Sequence, residues 1–143
     1  MLGRVMIEAK RAQTEAAVLE ANSSFYRAFT RADYPAMARL WAEQAPVACF
    51  HPGAPVIAGR RPVLESWRQI LRAPLPMRCD HAMVHLLGDT AFVTCYEASG
   101  NRPAHLAATN GFVLEDGSWR MVIHQAGPLS NPLPRPAPPS AAN

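Results

Sequence analysis

Two histidines have the surroundings of a ligand site. His51 ends the apolar run Val47-Ala-Cys-Phe50 and is fixed by Pro52 behind it, and His124 lies in the apolar segment Met121–His124. A neutral imidazole donates and accepts hydrogen bonds at once, so such a pair can orient a carbonyl or hydroxyl in an otherwise apolar pocket. Asn110 and Tyr96 are the further polar candidates, and Trp41 and Trp67 the candidate walls. The set His51, His124, Asn110, Tyr96, Trp41 and Trp67 is therefore the expected ligand-binding site. The competing reading is structural. Either histidine could hydrogen-bond a buried backbone group, and either tryptophan could pack in the core.

Other chemistry is poorly supported. His81 and His85 are four residues apart, a metal-pair spacing on a helix, but on a strand they stand about 13 Å apart. His105 has no apparent partner, and no metal or cofactor is expected. Cys49, Cys79 and Cys95 have no CxxC spacing and read as reduced, mostly buried thiols. There is no GxSxG elbow, and the eight glycines form no phosphate loop. Among strand carboxylates, Asp80 alternates with Ala82, Val84 and Leu86, and Glu97 alternates with Val93 and Cys95. Either could face an apolar interior; a solvated strand end is the expectation for both.

The elements that must hold these residues follow from periodicity. The 143 residues suit one domain, and 49% apolar against 17% charged content suffices for a core. The net charge of +3 comes from scattered arginines and not from one face, so no nucleic-acid partner is expected. Arg4, Glu8, Lys10 and Arg11 interrupt the N-terminal apolar stretch, and no apolar run approaches the ~18 residues of a membrane span. A cytoplasmic protein with no membrane partner is the expectation. Val18, Phe25 and Phe29, broadened by Leu19 and Tyr26, form the stripe of a first helix. Asp33 and Pro35 start a second helix, expected to end near Gln44. Pro46–His51 is a short strand, and a third helix starts near Pro62. Met77–Leu87 with Thr90–Ala98 and Ala104–Leu114 with Ser118–Ala126 read as two hairpins. Helices followed by strands mean α+β. The expected divisions are an N-terminal helical extension (1–14), a domain (15–129) and a Pro-rich flexible tail (130–143), of which residues 132–143 are expected to be dispensable for stability.

This order resembles the nuclear transport factor 2-like superfamily, the SnoaL-like or ketosteroid-isomerase-like cone. Phe25-Tyr-Arg-Ala-Phe29, Asp33, Met37-Ala-Arg-Leu-Trp41, Cys49-Phe-His-Pro-Gly53, Gly59-Arg60, Val63-Leu-Glu-Ser-Trp67 and Trp119-Arg-Met-Val-Ile-His124 carry the resemblance over residues 15–129. It implies a cone-shaped α+β barrel, with three N-terminal helices packed in a curved, mostly antiparallel sheet. It further implies an apolar pocket for a small apolar ligand. The activities it allows are those of an isomerase, cyclase or hydrolase; the alternative is a non-catalytic oligomerisation module. The isomerase carboxylates and tyrosine have no residue-by-residue match, so their roles are not carried over. Thr90–Ala98 is apolar on both alternations, which predicts a homodimer through the sheet face.

Overall fold

A computed structural model describes residues 1–137. In chain order the elements are α1 (Leu2–Arg31), α2 (Tyr34–Leu40), β1 (Ala48–Phe50), β2 (Ile57–Ala58), α3 (Arg60–Ile70), β3 (Met77–Leu87), β4 (Thr90–Ser99), β5 (Ala104–Glu115) and β6 (Ser118–Leu133). The strands form one six-stranded sheet in the order β2-β1-β6-β5-β4-β3. All neighbours are antiparallel except β1 and β6. The expected α+β class, with three helices packed against a curled sheet, is what the chain adopts.

Each helix is built as its sequence dictates, with local differences. Residues 2–13 are the exposed start of the same 30-residue helix that enters the core. Its buried side carries Val18, Asn22, Phe25, Tyr26 and Ala28, whereas Leu19 stays 37% exposed. Ala32 turns left-handed to end it, and the Asp33 carboxylate caps α2 by accepting from the Ala36 N–H at 3.0 Å. That helix stops at Leu40, short of Gln44. Trp41 turns extended and bridges to Met121, and the Ala42 N–H donates to the Met121 carbonyl at 2.9 Å. The following loop is tied to β5 by Glu115, whose carboxylate accepts from the backbone N–H groups of Glu43, Gln44 and Ala45. Those bonds hold its pKa below the usual carboxylate range.

The last strand differs most from expectation. Pairing continues past Ala126 through Leu106↔Pro128 to Ala104↔Leu133, and Arg135 donates to Asn101 at 2.7 Å. Residues 130–133 are thus strand, where a flexible tail was expected; residues 138–143 lie outside the described residues. Proline survives here because β1 pairs only with Ile123–Gln125, which leaves that side of β6 free beyond Gln125. A second irregularity, between Gly111 and Phe112, pairs Gly111 with Ile123 but Phe112 with Met121. This bulge turns both Met121 and His124 inward, where strict alternation would have buried Ile123 in place of His124.

Gly111 is required there for closeness of backbone approach. A Cβ at this position would stand 2.6 Å from Cγ2 of Ile123. Gly111→Ala is expected to cost about 1–3 kcal/mol through overpacking, read as a lower denaturation midpoint in urea. An unchanged midpoint would mean that β6 yields at the bulge.

Candidate active site

Strands β3 to β6, the segment that follows β1, and helices α1 and α3 bring one acid and three imidazoles to a single cavity, with His51 and His124 nearest its buried end. It has a volume of about 270 Å³ and is walled by Phe29, Trp67, Ile70, Leu75, Met77 and Leu106. Glu97, His51 and His124 reach it from between these apolar groups, and Ser99 and His105 line its rim. Register explains the assembly. Cys49 pairs with His124, His124 with Asn110, and Asn110 with Val93, so these side chains share one face. On β4 that face continues through Cys95 to Glu97, which is only 2% exposed.

A buried hydrogen-bond chain joins the acid to the imidazole behind the cavity wall. The Tyr26 hydroxyl donates to Oε2 of Glu97 at 2.7 Å. Nδ2 of Asn110 donates to the Tyr26 oxygen at 3.1 Å and to Oδ1 of Asn22 at 2.9 Å. Because both donors of the Asn110 amide are engaged there, its oxygen faces His124, whose Nδ1 lies at 2.6 Å and donates to it. Nε2 of His124 therefore carries the lone pair, and it has no hydrogen-bond partner among the described residues. His51 is fixed by similar reasoning. The Ser66 hydroxyl donates to the Val63 carbonyl at 2.6 Å, so it accepts from Nε2 of His51 at 2.9 Å, leaving Nδ1 of His51 as the acceptor.

Burial sets the charge states. Desolvation lowers the pKa of His51, and it drives that of His124 down to about 3, with the neighbouring His51 adding to the shift. Desolvation raises the pKa of Glu97, opposed by the hydrogen bond from Tyr26. The site at rest is a neutral base facing a carboxylic acid held towards its protonated form.

The sequence-derived set divides accordingly. His51, His124 and Trp67 line the cavity. Asn110 is fully buried behind His124, hydrogen-bonds the imidazole and is not among the residues that line the cavity. Trp41 is core: fully buried, outside the cavity wall, and bridged to Met121. Tyr96 points to the outer face because it alternates with the inward Cys95 and Glu97. There it lines, with His81, Met83 and Thr94, an open groove of about 930 Å³ that contains no imidazole–carboxylate pair. Glu97, expected at a solvated strand end, is the central acid; its alternation with Val93 and Cys95 was the available signal. Tyr26 was legible only as part of a helix stripe. Asp80 is 6% exposed but outside the cavity wall, held by the Arg78 guanidinium at 2.8 Å. Among the described residues no cluster of three metal-binding side chains occurs, and no helix is long and apolar enough to cross a membrane.

The imidazole makes stability depend on pH. Below about 6.5 the unfolded chain protonates His124 and the folded chain does not, so folding stability falls with pH until about 3. Between pH 6.5 and 5 this amounts to roughly 2 kcal/mol. Glu97 works oppositely: its raised folded pKa contributes stability below the unfolded value that is lost as pH rises through the folded one. Comparison with His124→Phe isolates the imidazole. The variant is less stable at pH 7, because the Asn110 oxygen loses its donor, but its melting temperature is expected to fall less between pH 6.5 and 5. Parallel curves would show that His124 titrates alike in both states.

Comparison with known proteins agrees with this architecture. A SnoaL-like domain model matches residues 18–130. A candidate dehydratase of the nuclear transport factor 2-like family from Streptomyces avermitilis is 32% identical, with a TM-score of 0.76, over 85% of this chain and 99% of that one. A candidate calcium/calmodulin-dependent protein kinase type II association domain from Thiobacillus denitrificans is 31% identical, with a TM-score of 0.65, over 77% and 93%. The F-box protein SKIP8 of Arabidopsis thaliana is 26% identical over 79% of this chain, which spans 50% of that relative's length. The chain belongs to the SnoaL-like domain family of the nuclear transport factor 2-like superfamily.

Proposed function

We propose that the chain is an acid–base enzyme that binds a small, mostly apolar molecule in the cavity and moves protons between Glu97, His124 and that molecule. The observation that carries this reading is the buried pair itself: an acid and a neutral imidazole on one apolar cavity, joined from behind through Tyr26 and Asn110. Nε2 of His124 takes a proton from carbon while the Glu97 carboxyl gives one to a second atom of the same molecule. When that second atom is a carbon or a carbonyl oxygen, the outcome is isomerisation. When it is a hydroxyl on the adjacent carbon, the C–O bond breaks, a C=C bond forms and water leaves.

A lone imidazolium is costly at this buried position, and the low pKa of His124 would make it a weak base alone. In the concerted step an imidazolium and a carboxylate appear together, so the cavity keeps its net charge and each ion stabilises the other. The similarity to a candidate dehydratase supports the elimination branch. A thermal-shift screen of hydroxy ketones, followed by mass analysis for loss of water, tests it; binders that are never altered would reduce the site to a carrier.

The chain pairs with a second copy through the outer sheet face, in this reading. Phe92, Thr94 and Tyr96 are only half-covered there, and Met83 is 61% exposed. The similarity to a candidate association domain favours the same conclusion. Light scattering at micromolar concentration is expected to give twice the 15.6 kDa of one chain. A mass of 15.6 kDa would contradict the pairing.

A further inference from the structure

The hydrogen-bond directions behind the cavity also restrict what can enter it. Asn110 accepts from Nδ1 of His124 and Ser66 accepts from Nε2 of His51, so each ring has its proton committed to the protein. Each retains one lone pair: Nε2 of His124, and Nδ1 of His51, which only the weak thiol donor of Cys49 approaches among the described residues, at 4.0 Å. A lone pair opposite a carbonyl or carboxylate oxygen is repulsive, and in a buried site that loss is not recovered from water. No arginine or lysine lines the cavity to hold an anion. Its 270 Å³ equals the space of about nine water molecules at ~30 Å³ each, enough for one ring-sized molecule beside Trp67 and Phe29.

We infer that the ligand is an uncharged, ring-sized molecule that presents a hydroxyl hydrogen (a phenol, an enol or a secondary alcohol) to the histidine side of the cavity. This deepens the proposed function and rests on the cavity being the ligand site. Donor and acceptor are matched so that an isostere lacking the O–H leaves Nε2 of His124 unpaired, and discrimination of this kind exceeds what apolar shape provides.

The test uses the full chain and three probes of similar size: 4-ethylphenol, its methyl ether 4-ethylanisole, and 4-methylacetophenone. Binding is followed by chemical-shift changes at His124 and Glu97, and long-range nitrogen–proton spectra report which ring nitrogen is protonated. The phenol is expected to bind about tenfold more tightly than the ether or the ketone, with Nε2 of His124 unprotonated. Equal affinities would overturn the inference while leaving the cavity as a ligand site. A ketone preferred over the phenol, with the proton on Nε2 of His124, would overturn it too, since that requires the buried amides to be turned the other way. No shift change at His124 or Glu97 with any probe would overturn the cavity reading and this inference together.

Discussion

Glu97→Gln is expected to lower turnover by about 10²–10⁴-fold, the usual contribution of a general acid or base, while the fold is kept. Glutamine matches glutamate in shape and can still accept the Tyr26 hydroxyl through its amide oxygen, so the 2.7 Å contact survives and only the transferable proton is lost. Removing a carboxyl that burial holds above its ordinary pKa also relieves a cost at neutral pH, so the melting temperature should hold or rise. Activity on a hydroxy compound identified by the thermal-shift screen provides one axis and melting temperature the other. Undiminished turnover in a folded variant would show that Glu97 is only a buried structural acid.

Trp67→Ala should have the largest effect on stability, about 3–5 kcal/mol. Its indole is fully buried and lies 5.3 Å from the Phe25 ring, 5.0 Å from Phe29, 4.9 Å from His51 and 5.8 Å from His124. The substitution removes at once a wall of the cavity and the contact that joins α3 to α1. Denaturant unfolding measures the loss, and a ligand that stabilises the parent protein should no longer raise the melting temperature of the variant. A change below 1 kcal/mol would mean that neighbouring rings collapse into the space, leaving the cavity less defined than its walls suggest.

What could be read from the sequence, and what could not, has a physical pattern. Helix starts, hairpins and the α+β order are local: Asp33 with Pro35, Gly88-Asp89 and Asp116-Gly117 carry their geometry in two or three residues. Trp41 defeats such reading because its extended conformation follows from a bridge to Met121, eighty residues away in sequence. The site was half legible for the same reason. His51 and His124 stand beside apolar runs and Trp67 on the apolar stripe of a helix, signals that are visible locally. Tyr96 and Glu97 are adjacent on β4, and which of them faces the cavity depends on register with β5, a long-range property in which one step reverses every side chain. His124 turns inward through a bulge that depends on Gly111 across the strand pair. Asn110, expected to contact a ligand, hydrogen-bonds the His124 ring from behind, and that position depends on Asn22 and Tyr26, which a distant helix contributes.

That Glu97 and His124 face one cavity as an acid and a neutral base can be tested without knowing the substrate. Carbon-13 and nitrogen-15 NMR of the labelled full chain would follow the Glu97 carboxyl and the His124 ring from pH 8 to pH 4.5. The expected result is a Glu97 carboxyl that takes up its proton above the ordinary glutamate value of about 4.3, with a His124 ring still neutral at the acid end. A Glu97 fully ionised at pH 4.5 together with a His124 that protonates near 6.5 would contradict it.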